Sequence, residues 1–380
     1  MIKVNRKIGN PRVQFTPAYY KEARLAMENG YYDKLIGLME EASIDSHVSG
    51  CLLARNAGFT RKWRISEYSP APQDVLIRDF VNDVFTNLSH KELLEDIFDA
   101  RLKKYAVIDL TWEVIDNRHV ITDFDPLHQR YFAYDVNGDG KLKLRGERDN
   151  LIDIPTDSAL VVTTKNRNPV LLPVLRDYIL KDFGIEAWAG FLEKFGDPFI
   201  LGKYPSGASR EFRNELETGL NALASSARGT APEGASIEII ETQRTTGDHS
   251  AFTSECKTGI SIALLGHANA VENASGMQVG ENLSAFEVKS EIAVDDIYFI
   301  ETFINRLIKK LVDRNFTTKS YPTFNIDKSK PLTFDQRLRV LDQAYEQGYI
   351  IDPEEYALLG LRMNDQQEPL RKQFPPTGLG

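Results

Sequence analysis

The sequence predicts an α+β fold: a helical N-terminal part, an antiparallel β region, then long helices with a small mixed insertion between two of them. Three observations carry this. Apolar residues recur at helical spacing through residues 74–102. Between 105 and 165 the period changes to two. From Ser284 to Arg314 no Gly or Pro interrupts an apolar stripe.

The first hundred residues read as helices. "DVLIRDFVNDVFTNL" places Leu76, Phe80, Val84 and Leu88 on one face. Ser89 and Glu92 have the S-x-x-E spacing of a capping box, which opens a second helix with Leu93, Leu94, Ile97, Phe98 and Leu102 as its apolar positions. In "YAVIDLTWEVI", Ile108, Leu110, Trp112 and Val114 alternate with Asp109, Thr111 and Glu113, the pattern of a half-buried strand. "DNR" turns it into "HVITDF"; "YFAYD", "KLKLR" and "ALVVTT" supply further strands.

Helical spacing returns in "NPVLLPVLRDYILKDFGIEAWAGFLEKFGDP", where Val174, Tyr178, Leu180, Phe183, Trp188, Phe191 and Phe195 supply apolar faces. Gly196 is placed for a C-terminal cap with Pro198 just beyond. A short helix in "REFRNELETGLNALASS" and a strand in "ASIEIIET" make up the mixed insertion. "HSAFTSECKTGISIALLG" reads as a helix and "HANAVENASGMQVGENLS" as a loop. Ser284 and Glu287 then form a second capping box. The helix it opens has Ile297, Ile300, Ile304, Leu307 and Leu311 as its stripe and would be about 45 Å long. "DQRLRVLDQAYEQGYIIDPEEYALLGL" reads as two more short helices, and "RKQFPPTGLG" as a frayed tail.

Composition narrows the function classes. The chain has 380 residues, 42% hydrophobic and 27% charged, with a formal net charge of -9. Length suggests two or three packed units, and the acidic balance argues against a free-standing nucleic-acid-binding domain. Two cysteines far apart, Cys51 and Cys256, indicate neither a disulfide framework nor a zinc site; both are expected to be buried small hydrophobes. "MIKVNRKIGN" has no apolar core of signal-peptide length, and no run reaches that of a membrane span. The expected compartment is reducing, aqueous and cytoplasmic.

Several motifs of enzymes and metal proteins are approached and missed. "DVNGDG" puts Asp135, Asn137, Asp139 and Gly140 where an EF-hand loop has its first ligands and turn glycine. Its twelfth position, which needs a bidentate Glu, is Gly146, and strand-like segments flank it. The stretch therefore reads as a hairpin turn of the Asn-Gly/Asp-Gly kind. "GDPFILGKY" approaches a P-loop through Gly196, Gly202 and Lys203, but its spacing is one residue too long and Tyr204 replaces the Mg²⁺-binding hydroxyl. The six histidines (47, 90, 119, 128, 249 and 267) show no metal-ligand spacing. "RKWR" at 61–64 fits a solvated strand edge better than a phosphate site. No catalytic residue, metal site or cofactor is assigned, and the expectation is a structural protein, not an enzyme.

An ordered set of segments is similar to the portal proteins of Mu-like bacteriophages and prophages. The signature stretch is "WAGFLEKFGDPFILGKYPSGAS", a Trp helix followed by F-G-x-P-F and L-G-K-Y-P. "LTWEV", "YFAYD" and "NPVLLPVLRDYILKDF" precede it, and "SIEIIET", "ISIALLGHA" and the helix from Ser284 follow it, so the resemblance spans roughly residues 50 to 360. Departures fall after Leu265, where His267 and "NAVENASGMQVG" replace a usually Thr-rich run.

The resemblance implies the phage portal fold. It divides the chain into an N-terminal helical wing region (1–104), an antiparallel β part of the wing (105–168), a stem helix (169–196), a clip (197–248) and a second stem helix (249–266). A tunnel loop (267–283), a long channel helix (284–315), a C-terminal crown-side region (316–370) and a tail (371–380) complete it. It further implies a homo-oligomeric ring, typically of about twelve subunits, at one capsid vertex. The implied partners are the terminase large subunit, major capsid or scaffold proteins, neck proteins and double-stranded DNA passing through the channel. No membrane is involved. The implied location is the virion, with assembly in the host cytoplasm. The tunnel loop has no Lys or Arg; Asn269, Asn273, Ser275, Gln278 and Asn282 are its DNA-facing candidates. Such short polar groups brush a backbone without the salt-dependent grip of neutralised phosphates. Rival readings are another capsid or baseplate protein, or a metal- or nucleotide-dependent enzyme using the degenerate loops.

Overall fold

The computed structural model describes residues 2–5, 8–9, 12–165, 167–195, 199–226, 230–240, 247–268, 279–329 and 334–348. The chain forms two compact units, Met1–Asp327 and Lys328–Gly380.

Five helices lead the first unit: α1 (Pro17–Glu28), α2 (Asp33–Ile44), α3 (Ser46–Asn56), α4 (Pro72–Asn87) and α5 (His90–Lys103), with strand β1 (Trp63–Ser66) before α4. Asp45 caps α3, its carboxylate accepting the N–H groups of His47 and Val48. Of the face expected for α4, Val84 and Leu88 are buried and Phe80 packs half-buried on the core, whereas Leu76 is exposed; Ile77, Val81 and Phe85 are buried beside them. Ser89 stands at the N-cap of α5 but makes no side-chain capping bond. All five apolar positions expected for α5 are buried.

The β region folds as two sheets. β2 (Tyr105–Ile115), β3 (Arg118–Leu127) and β7 (Ala159–Thr163) lie in the order β3-β2-β7; β4 (Phe132–Tyr134), β5 (Leu142–Arg145) and β6 (Leu151–Asp153) form a meander. All pairings are antiparallel. Asp116 and Asn117, with φ of 48° and 64°, make the tight turn between β2 and β3.

β2 departs from the half-buried strand its alternation predicts. Tyr105 to Leu110 are all buried, Asp109 included. The reason is a core on each face. Ala106, Ile108 and Leu110 enter the main core; Tyr105 and Val107 enter a second one with Ile2, Ile36, Phe132 and Leu144. Asp109 shares that second face and accepts the Ile2 N–H at 2.6 Å. Past a register shift between Thr111 and Trp112, Trp112 packs half-buried against the main core and Val114 is exposed.

α6 (Leu171–Phe195), β8 (Phe199–Lys203), α7 (Arg210–Ser226), β9 (Ser236–Ile240) and α8 (Gly247–Leu265) follow. α9 (Val279–Asn315) has 37 residues, about 55 Å at 1.5 Å per residue. It begins at Val279, so Ser284 lies inside the helix and does not cap it. Ile297, Ile300, Ile304, Leu307 and Leu311 are all buried, making its second half a spine of the main core. At its end Asn315 pairs with the backbone of His119, accepting its N–H and donating to its carbonyl, both at 2.7 Å.

β10 (Thr323–Ile326) pairs antiparallel with β1, with Trp63 opposite Ile326. Residues 316–327 therefore belong to the first unit, not to the C-terminal region where the sequence reading put them. Their apolar content is short, and the β1 partner 260 residues upstream is what makes them a strand. The second unit contributes one described helix, α10 (Phe334–Glu346). The second expected C-terminal helix and the tail 371–380 lie outside the described residues. Among the described residues no helix is long and apolar enough to cross a membrane.

Candidate functional site

The feature that organises this chain is an antiparallel helix pair with a small β-α-β unit at its far end. α6 starts in the main core, where Leu171, Leu172, Val174, Leu175 and Ile179 are buried. From Phe183 to Gly190 every residue is exposed or half-buried, so the helix has left the core. α8 mirrors it: His249 to Glu255 are exposed or half-buried, and burial begins at Cys256. Cys51 and Cys256 are both buried free thiols, as expected.

Two glycines let the helices approach closely. A Cβ on Gly184 would stand 3.0 Å from the Phe252 ring, and one on Gly259 would run into the Asp177 carboxylate. The pairs 184/252 and 177/259 fix the antiparallel register. The outer segment still shows apolar surface at Phe183, Ile185 and Phe252.

At the tip, β8 pairs antiparallel with β9, with Leu201 opposite Glu238. α7 packs on this hairpin, placing Leu216 and Leu220 over Gly202. Gly202 and Lys203 thus lie in a strand, and Lys203 pairs with Glu238 across it. A P-loop needs a glycine loop opening a helix; this geometry is a two-stranded ribbon.

At the base, buried polar contacts lock the pair to the helical region. Lys181 Nζ lies 2.5 Å from Asp45 Oδ2. Burial pushes the Asp45 carboxyl up, but Lys181 and the N–H groups of Val48 and His47 together hold it below its usual range. His47 Nε2 is 2.9 Å from Ser261 Oγ and 3.0 Å from the Lys257 carbonyl. Arg55 makes three contacts. Its Nε and Nη2 meet Asp296 Oδ2 and Oδ1 at 2.7 and 3.0 Å, and its Nη1 donates to the Leu264 carbonyl at 2.8 Å. Arg101 Nε reaches the same carboxylate at 2.9 Å. One guanidinium therefore ties the end of α8 to the middle of α9, on either side of the segment expected to be a tunnel loop.

Of that segment's candidate residues, Asn269, Asn273, Ser275 and Gln278 lie outside the described residues. Asn282 falls within α9, so the expected loop 267–283 is helical from Val279 onward. Sequence reasoning missed the Arg55–Asp296 anchor. Its signal was Asp296 inside the apolar stripe of α9, a position that must be paired if buried.

"DVNGDG" joins β4 to β5 as a seven-residue connection, 135–141. It is larger than the two-residue turn its dipeptides suggested; only Gly140 has a positive φ, at 68°. The Asp135 carbonyl accepts the N–H groups of Gly138 and Gly140 at 3.2 and 2.9 Å, which closes the turn without a left-handed Asn137. Lys143 Nζ lies 2.9 Å from Asp135 Oδ2 and 3.5 Å from Asp139 Oδ1. The ammonium occupies the place a calcium ion would need. Among the described residues no group of three or more His, Cys, Asp or Glu side chains could hold a metal.

Comparison with known proteins agrees with this architecture. The family described as "Portal protein of Mu bacteriophage" matches residues 36–359. The portal protein of Escherichia phage Mu is 24% identical over 310 residues, covering 78% of this chain and 59% of that protein. The Mu-like prophage FluMu protein gp29 of Haemophilus influenzae is 22% identical over 242 residues, 60% of this chain and 46% of that one. This chain thus spans about half the length of those curated relatives. Among solved structures, a chain from the neck of a native gene transfer agent particle, computed with C12 symmetry, superposes with a TM-score of 0.55 at 12% identity. That match covers 94% of this chain and 98% of the other, and it shows a shared fold. With the family match running through the two β sheets, the helix pair, the tip and α9, this chain belongs to the portal protein family of Mu bacteriophage.

Proposed function

We propose that the chain is the subunit of a phage portal: a closed ring at a capsid vertex, through which DNA is packaged and released and to which the neck is joined. The family match across residues 36–359 carries this reading. α6 and α8 would form the stem, the β8-α7-β9 unit the clip facing terminase and later the neck proteins, and α9 the link between core and channel. The segment between α8 and α9 would face double-stranded DNA. Assembly would take place in the host cytoplasm and the finished ring would reside in the virion.

Physical features support it. Identical subunits with heterologous contacts close into a ring when the rotation permits. Phe183, Ile185 and Phe252 are apolar surface on a helix pair that has left its own core, as contact between adjacent copies would require. The chain is acidic, with a net charge of -9. A conduit that does not neutralise phosphates does not hold the DNA it passes.

End-on electron microscopy of the purified protein tests the reading. Rings with a central hole are expected, of roughly half a megadalton if twelve 43.0 kDa copies close. Filled particles or monomers, with or without terminase and capsid proteins, would overturn it.

A further inference from the structure

β7 is the outer strand of the sheet β3-β2-β7. Leu110 N–H donates to Ser158 O at 2.7 Å and Thr164 N–H to Lys104 O at 3.2 Å. The even-numbered residues therefore bond to β2, and the odd-numbered ones turn their N–H and C=O outward. On that outer edge Lys310 Nζ donates to the Ala159 carbonyl at 2.6 Å, closing one end. Val161 and Thr163 have no outward hydrogen bond among the described residues. An edge left open in this way is a template for another strand.

The open edge faces a cleft of about 1060 Å³. Val161, Leu142 and Ile154 give it an apolar floor. Tyr134 lines it too, and its hydroxyl is buried with no hydrogen-bond partner among the described residues. The lining is cationic: among the described residues it carries Lys104, Lys141 and Lys165 and one carboxylate, Asp153. Lys104 is committed to the carbonyls of Lys165 and Arg167 at 2.5 and 2.8 Å. Lys141 lies 3.5 Å from Asp139 but is exposed, and the Lys165 side chain is exposed with no partner among the described residues.

We infer that this groove binds an extended, acidic segment of a partner protein by strand addition. The added strand bonds to Val161 and Thr163, sets apolar side chains on the floor and aims carboxylates at Lys141 and Lys165. The inference does not depend on ring closure, and the test below is read on the protein whether or not it forms rings.

The test is amide hydrogen exchange on the full-length protein with an end-blocked peptide of alternating Val and Glu, and with the same peptide carrying Lys for Glu. The Val-Glu peptide is expected to slow exchange at Val161 and Thr163 by about tenfold or more, and the Val-Lys peptide to leave it unchanged. Lys141→Glu with Lys165→Glu, two exposed positions, should abolish the effect. So should Val161→Pro, which removes one outward N–H on an edge strand. Overturning results would be no slowing, equal slowing by both peptides, or Val161 and Thr163 already protected without peptide, which would put a second copy or this chain's own residues on the edge.

Discussion

Arg55 and Asp296, 241 residues apart in sequence, form a two-point ion pair in the interior, with both side chains almost fully buried. Breaking a buried pair is costly because it leaves an uncompensated charge. Asp296→Leu leaves the buried Arg55 guanidinium without its carboxylate, while Arg101 keeps Asp295, and should cost about 3–5 kcal/mol. Arg55→Met leaves Asp296 with Arg101 and should cost about 1–3 kcal/mol. Combining them should recover part of the loss. Urea unfolding of the single and double variants measures this.

The register of the α6–α8 pair depends on Gly259. Gly259→Val would push Asp177 aside or part the helices, at a cost of about 1–3 kcal/mol. Thermal unfolding should register it, and crosslinking between cysteines placed at 184 and 252 should fall.

Asp96 on α5 titrates high, at about 6. Burial is the main cause, followed by the charges of Asp99, Glu92, Glu95 and Asp125. The folded state thus holds a proton that the unfolded state releases near pH 4. Stability from this group is greatest below pH 4 and falls as pH rises toward 6, where it levels off. Asp96→Asn should stabilise the protein at pH 7.5 by about 1 kcal/mol after allowing for solvent screening and have little effect at pH 4. Denaturant midpoints at the two pH values check it.

At the β4–β5 connection, Ca²⁺ should leave the melting temperature unchanged, because Lys143 already neutralises Asp135 and Asp139. Gly140→Ala should cost about 1 kcal/mol, since φ there is 68°. A calcium-dependent rise in melting temperature would contradict this account.

If the segment between α8 and α9 faces DNA, deleting 270–278 should leave rings intact and impair DNA packaging or retention. The deletion stops at 278 because α9 begins at Val279. Loss of rings in that variant would make the segment a subunit contact.

The elements with a strong local period were legible. α5 and the stripe of α9 lie where their apolar spacing puts them, because one face meets one core; α6 is a helix as expected, but its apolar positions Leu180 and Phe183 are exposed. On α4 only Leu76 was misplaced, since Leu76 and Ile77 are equally apolar and only packing separates them. For the candidate site, the helix pair and its mixed tip could be read from period and punctuation. The polar locks at its base could not: Lys181, His47 and Arg55 look like ordinary surface residues until Asp45, Ser261 and Asp296 are brought beside them.

By itself the sequence placed the strongly periodic helices and strands and, through ordered motifs, the family, because these depend on neighbours within a few residues. It also excluded the EF-hand, through Gly146 at the twelfth position. The tertiary structure decided that β2 is buried on both faces, that 323–326 completes a sheet with 63–66, and that Asp109 and Asp296 are interior carboxylates. Each of these depends on a partner more than a hundred residues away. Burial of a charge or closure of a strand edge is a property of what the fold places opposite it, and no local pattern encodes that.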